Sequence, residues 1–143
     1  MHDPDDLLRL ILGAHALTRI ASLETRSEAP AAQWRTLAIL RDNGPQRLGE
    51  LAALSRVTQP GMTRLAAQLA DAGLLSRASD PHDSRATVLA ITAAGETALH
   101  EWLELLGATL APRFAGLDDD DRAALRRTAD ILAAMARTAE VAR

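Results

Sequence analysis

Apolar residues recur at steps of three and four along most of the chain, which is the repeat of an amphipathic helix. Residues that commonly start helices precede several of these runs, and glycine or proline follows them. The pattern predicts six helices. They cover about residues 3–26, the stretch from a polar break at 27–30 to 42, then 49–55, 58–72, 92–110, and a last helix from 118 onward.

A different pattern separates the fourth predicted helix from the fifth. Two short apolar or β-branched runs, 74–77 and 87–91, flank the turn-forming segment 78–85. This arrangement predicts a two-stranded hairpin with a polar tip, as the only sheet of the protein. The order helix, tight turn, helix, hairpin is that of a winged helix-turn-helix, and the other helices make the fold class mainly α.

Composition agrees with a helical chain and removes several classes of function. Aromatic residues make up 2% of the 143 residues, so the core must be built from leucine, isoleucine and alanine. The absence of cysteine excludes disulfides and thiolate metal sites. Four scattered histidines lack metal-ligand spacing, and there is no phosphate loop or nucleophile elbow. We expect no catalysis, no cofactor and no metal.

The charge distribution permits binding to nucleic acid without indicating it. The net charge is −3, and all 16 basic residues are arginine, whose planar guanidinium suits phosphate and guanine. Between Arg41 and Thr92 the balance is about +1, and it is about −4 elsewhere. The N-terminus is acidic and no apolar run reaches membrane-spanning length, so we expect a soluble, cytoplasmic protein with no membrane partner.

The predicted helix 58–72 has one apolar and one polar face. Its apolar side chains are expected to be buried, and Thr58 is expected to cap its start. Its opposite face carries small or hydrogen-bonding residues, which suit the base edges of a DNA major groove. We predict groove reading by Thr58, Gln59, Gly61, Thr63 and Arg64.

The predicted hairpin tip supplies the second candidate contact. Asp83 stands two residues before Arg85 and can hold its guanidinium by a local ion pair, which would aim it into a minor groove. The alternative is that Arg85 is simply a solvated arginine of a common turn. Further candidates, for contacts to phosphate, are Ser55, Arg56, Arg77 and His82.

The stretch from Leu48 to Gly95 resembles the multiple-antibiotic-resistance regulator (MarR) family. The resemblance is carried by Glu50-Leu51-Ala52, by Val57-Thr58-Gln59-Pro60-Gly61-Met62-Thr63-Arg64-Leu65, by Leu69 with Gly73-Leu74-Leu75 and Arg77, and by Asp80-Pro81-His82-Asp83-Ser84-Arg85 with Leu89, Ile91-Thr92 and Gly95. The Asp-Pro-x-Asp-x-Arg wing is its most specific part. One departure is Ser84, where members often carry a second arginine.

The resemblance implies one domain over residues 1–143. Within it, 30–92 would be the winged helix-turn-helix core, and 1–28 with 93–143 a helical dimerisation region. It also implies a homodimer that binds a palindromic operator on double-stranded DNA, commonly as a repressor. Independently, the two long amphipathic helices have more apolar surface than a small domain needs, which favours a partner helix.

The resemblance further implies a small aromatic or acidic effector between the dimerisation and DNA-binding parts. The candidates are His15, Arg19, Trp34 and Arg35, although Trp34 could instead be ordinary core. A second hypothesis for the whole protein is a winged-helix interaction module that has lost DNA binding. The net acidity and Ser84 favour that alternative.

Overall fold

The computed structural model describes residues 4–25 and 31–141, with the backbone alone for Pro4 and residues 138–141. In chain order the elements are α1 (Pro4–Thr25), α2 (Ala31–Asn43), β1 (Gln46–Arg47), α3 (Leu48–Ser55), α4 (Gln59–Asp71), β2 (Leu75–Ser79), β3 (Thr87–Ile91), α5 (Ala93–Leu110), a 3-10 turn (Ala111–Phe114) and α6 (Asp119–Val141). The prediction of a mainly helical winged fold is confirmed. The predicted start of the first helix at residue 3 and the polar break at 27–30 lie outside the described residues.

The sheet has three antiparallel strands in the order β1–β3–β2. The hairpin pairs Leu75 with Ile91 and Ser79 with Thr87, and β1 adds to the other edge by pairing Gln46 with Leu89. The prediction of a two-stranded sheet was therefore wrong by one strand. Two residues are too few to show an alternating pattern, so β1 could not be distinguished from the loop that follows α2.

The core lies between helices α2 to α4, the sheet and the first half of α5. Leucine dominates it, as the composition required, and its largest fully buried apolar residues are Leu37, Leu40, Leu51, Met62, Leu69, Leu89 and Leu99. Burial of each such side chain contributes about 2 kcal/mol from the hydrophobic effect. Trp34 and Trp102 pack against the edge of this core. Their rings stack on each other, with centroids 5.1 Å apart and planes inclined by 13°.

Thr92 joins the start of α5 to the end of α4. Its hydroxyl accepts a hydrogen bond from the backbone N–H of Gly95 at 3.0 Å, which caps the helix, and donates to the carbonyl of Gly73 at 2.6 Å. The backbones approach so closely that a Cβ on Gly95 would overlap the Leu74 carbonyl oxygen. A glycine is therefore required here by packing.

The segment from Leu110 onward forms a separate compact unit. Within it, the carboxylate of Asp118 accepts from the backbone N–H of Asp121 at 2.8 Å and caps α6. Three acidic residues follow in the first turn, where the helix dipole favours negative charge. The sequence-based division into a winged helix-turn-helix core, residues 30–92, and a dimerisation region, residues 1–28 and 93–143, stays a prediction.

Candidate DNA-binding surface

A tight turn between α3 and α4 sets the direction of the second helix. Helix α3 ends at Ser55, and Arg56 then adopts the left-handed conformation, with φ 57° and ψ 43°. The N–H groups of Arg56 and Val57 donate to the carbonyls of Ala53 and Ala52, which closes the last turn of α3. Arginine pays a steric cost at a positive φ, so the neighbouring structure must impose this geometry.

The start of α4 is fixed by its own first residues. The Thr58 hydroxyl accepts from the N–H of Gly61 at 3.1 Å, which confirms the predicted cap. A Cβ on Gly61 would lie 3.0 Å from the Thr58 hydroxyl oxygen and from a methyl of Val57. Glycine is thus favoured here by the turn itself, in addition to leaving the helix surface flat. The Thr63 hydroxyl donates to the Gln59 carbonyl at 3.0 Å.

Helix α4 has the two faces that its sequence predicted. The four residues expected inside are all buried: Met62, Leu65, Ala66 and Leu69. Gln59, Thr63 and Arg64 are exposed. The arrangement leaves one polar face of a helix, with donors and acceptors along it, open on the described part of the chain.

The hairpin tip is braced by the carboxylate of Asp80. It accepts from the backbone N–H of His82 at 2.7 Å and from the guanidinium of Arg47 at 2.7 Å, and its side chain is 9% exposed. These bonds, the one from His82 above all, lower the pKa of Asp80 below its ordinary value of 3.8. Strand β1, which supplies Arg47, is therefore tied to the tip as well as to the sheet.

Arg85 projects from the braced tip. Asp83 accepts from the backbone N–H of Arg85 at 3.1 Å and from its Nε at 3.3 Å, so the predicted local ion pair is present. The Arg85 side chain is nevertheless 92% exposed, which leaves the far end of the guanidinium open to a ligand. Arg77, on β2, and His82 are also exposed.

An open hollow of about 430 Å³ separates α4 from the hairpin. Its walls come from the β1–α3 junction, the first residue of α4 and the far side of the tip; the residues that line it are Arg47, Leu48, Gly49, Glu50, Gln59, Arg85, Ala86 and Thr87. Sequence reasoning missed Arg47, because its role depends on pairing between β1 and β3 and on a partner 33 residues away.

One predicted phosphate contact has to be corrected. Ser55 is fully buried, and its hydroxyl has no hydrogen-bond partner. The residue packs under the turn, so its side chain cannot reach a ligand on the surface. Arg56, the next residue, is exposed.

Of the four effector candidates, Trp34 alone lines the hollow beside the two stacked indoles. Trp34 lines a hollow of about 280 Å³ with Thr25, Ala98, Glu101, Trp102 and Leu105. His15 and Arg19 are exposed on α1 and are absent from this lining, while Arg35 donates from its Nε to the backbone carbonyl of Ser55 at 3.2 Å. The described lining thus contains one acidic side chain and no basic one.

The described residues offer neither a metal site nor a membrane span. Residues 4–25 and 31–141 contain no cluster of three or more side chains suited to hold a metal ion. No helix within the same ranges is long and apolar enough to cross a membrane.

Comparison with known proteins agrees with this geometry. The MarR family model matches residues 30–87. An uncharacterised HTH-type transcriptional regulator of Mycobacterium bovis is 33% identical over 109 residues, which are 76% of this chain and 76% of the relative. The chain therefore belongs to the MarR family of helix-turn-helix transcriptional regulators, which bind DNA and are not enzymes.

Solved structures share the fold. A transcriptional regulator of Thermotoga maritima superposes with a TM-score of 0.70 at 26% identity, with 94% of each chain covered. A mutant of MarR from E. coli gives 0.71 at 19% identity over 92% of this chain and 97% of the other. BpsR of Bordetella bronchiseptica, whose DNA binding is described as regulated by 6-hydroxynicotinic acid, gives 0.57 at 23% identity over 92% and 94%.

Proposed function

We propose that the protein is a sequence-specific regulator that binds double-stranded DNA as a homodimer on a palindromic operator, most simply as a repressor. One observation carries the proposal: the polar face of α4 and the guanidinium of Arg85 are both exposed. A helix of this width fits a major groove, and an extended arginine fits the narrow minor groove beside it. Such a protein acts where the chromosome is, so we place it in the cytoplasm.

The hollow between α4 and the hairpin suits the DNA strand that runs between those two grooves. Gln59 of α4, Arg85 of the hairpin tip and Arg47 of β1 all line the hollow. In this proposal Gln59, Gly61, Thr63 and Arg64 read base edges, together with Thr58 at the helix start. Arg56, Arg77 and His82 contact phosphates, and Asp83 orients Arg85.

Exposed apolar side chains support a homodimer. Helix α6 exposes Leu125, Leu132 and Met135, each by 45% or more, and their spacing places them on the same side of the helix. Helix α1 likewise exposes Leu8 and Leu12 by more than half. Faces of this kind are unfavourable in water and are normally covered by another chain. We propose a second copy of this chain as the cover, which would also supply the two-fold symmetry that a palindrome requires.

We further propose that the hollow beside Trp34 binds a small planar effector. The hollow is lined by the stacked indole pair of Trp34 and Trp102. A flat ring would stack on the indole surface that lines the hollow. The carboxylate of an aromatic acid would lack a basic partner among the described lining residues, so the ring is the feature we expect the hollow to select.

The test is duplex binding measured over a salt series, with DNA from the protein's own promoter region. Steep loss of affinity with salt is expected, because phosphate contacts release counterions. Arg64→Ala should weaken discrimination between specific and random duplexes by about tenfold, whereas Arg85→Ala should weaken both more evenly. Arg126→Ala removes the same charge from an exposed position on α6, which is not part of the proposed DNA-binding surface, and serves as the control.

Two results would overturn the proposal. Weak binding at every salt concentration would favour the alternative, an interaction module without DNA affinity, which the net charge of −3 makes the natural competitor. Unchanged binding by both the Arg64 and the Arg85 variants would remove the assigned surface.

A further inference from the structure

Arg35 of α2 forms a hydrogen bond with the end of α3, far from it in the sequence. Its Nε donates to the backbone carbonyl of Ser55 at 3.2 Å, across 20 residues of sequence. Ser55 is the last residue of α3, and the left-handed Arg56 follows immediately. The bond therefore joins α2 to the turn that directs the reading helix α4.

The Ser55 carbonyl is a sensitive point of that turn. The carbonyls of Ala52 and Ala53 are already occupied by the N–H groups of Val57 and Arg56. Beyond them the chain leaves the helical path, so the Ser55 carbonyl needs a donor from elsewhere. A charged donor binds a carbonyl more strongly than a neutral one does. Arg35 thus stabilises the turn in its observed conformation.

Helix α2 is well placed to act as the anchor. The residue before Arg35 is Trp34, whose ring stacks on Trp102 of α5, and the two residues after it, Thr36 and Leu37, are fully buried. These neighbours on both sides fix the rotation of α2 about its axis. The Arg35 side chain therefore starts from a rigid base.

We propose that Arg35 is a positioning residue for DNA recognition: it holds the α3–α4 turn, and thereby α4, in the orientation that enters the groove. This assignment replaces the effector role that the sequence suggested for Arg35, and it rests on the proposed DNA-binding function. Its contribution is pre-organisation. If the turn occupied the competent orientation one tenth of the time without Arg35, apparent affinity would fall about tenfold.

The first experiment measures operator affinity over a salt series for Arg35→Met and Arg35→Ala. Methionine keeps much of the side-chain length and the helix propensity, and it removes the donor, so it guards against misfolding of the alanine variant. Arg41→Ala is the matched control, because it removes the same charge from the same helix and its guanidinium bonds only the adjacent Asp42 among the described contacts.

We expect about a tenfold loss of affinity in both Arg35 variants, with the dependence on salt unchanged, and little change in Arg41→Ala. A direct phosphate contact would instead reduce the slope of log affinity against log salt by about one. That result would overturn the positioning role, and so would unchanged affinity.

The second experiment does not depend on DNA. Amide hydrogen exchange of Arg56 and Val57 should become about tenfold faster in Arg35→Met, whereas exchange of buried Leu65 and Leu69 in α4 should stay as it is. Equal acceleration everywhere would show a general loss of stability, and no acceleration would show that Arg35 does not hold the turn; either overturns the inference. If the unmodified protein bound no duplex, the proposed function would fail, and exchange alone would still decide whether Arg35 holds the turn.

Discussion

Arg56 adopts a positive φ of 57°, and no other non-glycine residue does so within residues 4–25 and 31–141. A side chain in this region costs about 1–2 kcal/mol through contact between Cβ and the following backbone. Arginine at such a position suggests that its guanidinium contributes something that offsets the strain. A phosphate contact beside the reading helix is the contribution we propose.

Arg56→Gly is expected to move stability and DNA binding in opposite directions. Relief of the left-handed strain should raise the free energy of unfolding by about 0.5–1 kcal/mol, after the entropy cost of glycine. Loss of the guanidinium should weaken duplex binding and reduce its salt slope by about one. Denaturant unfolding and a salt series measure the two effects. Arg56→Ala should weaken binding as much as Arg56→Gly does, without the gain in stability. Equal duplex binding by the unmodified protein and both variants would contradict the phosphate contact proposed for Arg56.

Single-residue predictions succeeded where the cause is local in sequence. Thr58 caps its helix as expected, because a cap and its N–H partner are three residues apart. The bond between Arg35 and Ser55 and the burial of Ser55 could not be foreseen, since both depend on how α2 packs against α3.

At the scale of elements, the wing depends on a carboxylate that must stay ionised. Its neighbours lower the pKa of Asp80, so the folded protein binds this proton less readily than the unfolded chain does. The stabilising contribution is therefore fully present above about pH 4, near the ordinary pKa, and is lost as the pH falls through the lower folded value.

We predict that Asp80→Asn destabilises the protein at pH 7 and that the difference from the unmodified chain shrinks towards pH 3. Asparagine can still accept from the His82 N–H and cannot form the ion pair with Arg47. Unfolding free energies at pH 7, 5 and 3 provide the measurement. A difference that does not change with pH would show that charge is not what braces the wing.

The junction between α4 and α5 gives a second prediction for elements. Gly95→Ala should lower the free energy of unfolding by about 3 kcal/mol, since its Cβ would overlap the Leu74 carbonyl oxygen. Gly107→Ala, in the same helix with nothing within 4 Å of its Cβ, should instead raise it by about 0.5–1 kcal/mol. Similar effects of the two substitutions in denaturant melts would contradict the close approach.

Long helices and the hairpin could be predicted because each carries its own repeat over many residues. Strand β1 could not, because it spans two residues and exists through pairing with β3. The same limit applies to the stacking of Trp34 on Trp102: each indole was visible in the sequence, and their contact depends on the approach of α2 to α5.

For the whole molecule, the prediction concerns assembly. Leu132→Glu places a charge within the exposed apolar face of α6, and burial of an unpaired charge is unfavourable, so the dissociation constant of the proposed homodimer should rise on the order of tenfold or more. Ala123→Glu adds the same charge on a different side of the helix and is the control. Sedimentation equilibrium separates the cases, and equal assembly of both variants would place the interface elsewhere.

Selection of bound sequences from a pool of random DNA duplexes tests the central claim most directly. The account predicts enrichment of an inverted repeat whose half-sites are centred about one helical turn, roughly 10 bp, apart. Recovery of no preferred sequence would contradict sequence-specific recognition by α4 and the wing. Recovery of an isolated, unrepeated half-site would contradict binding as a two-fold dimer.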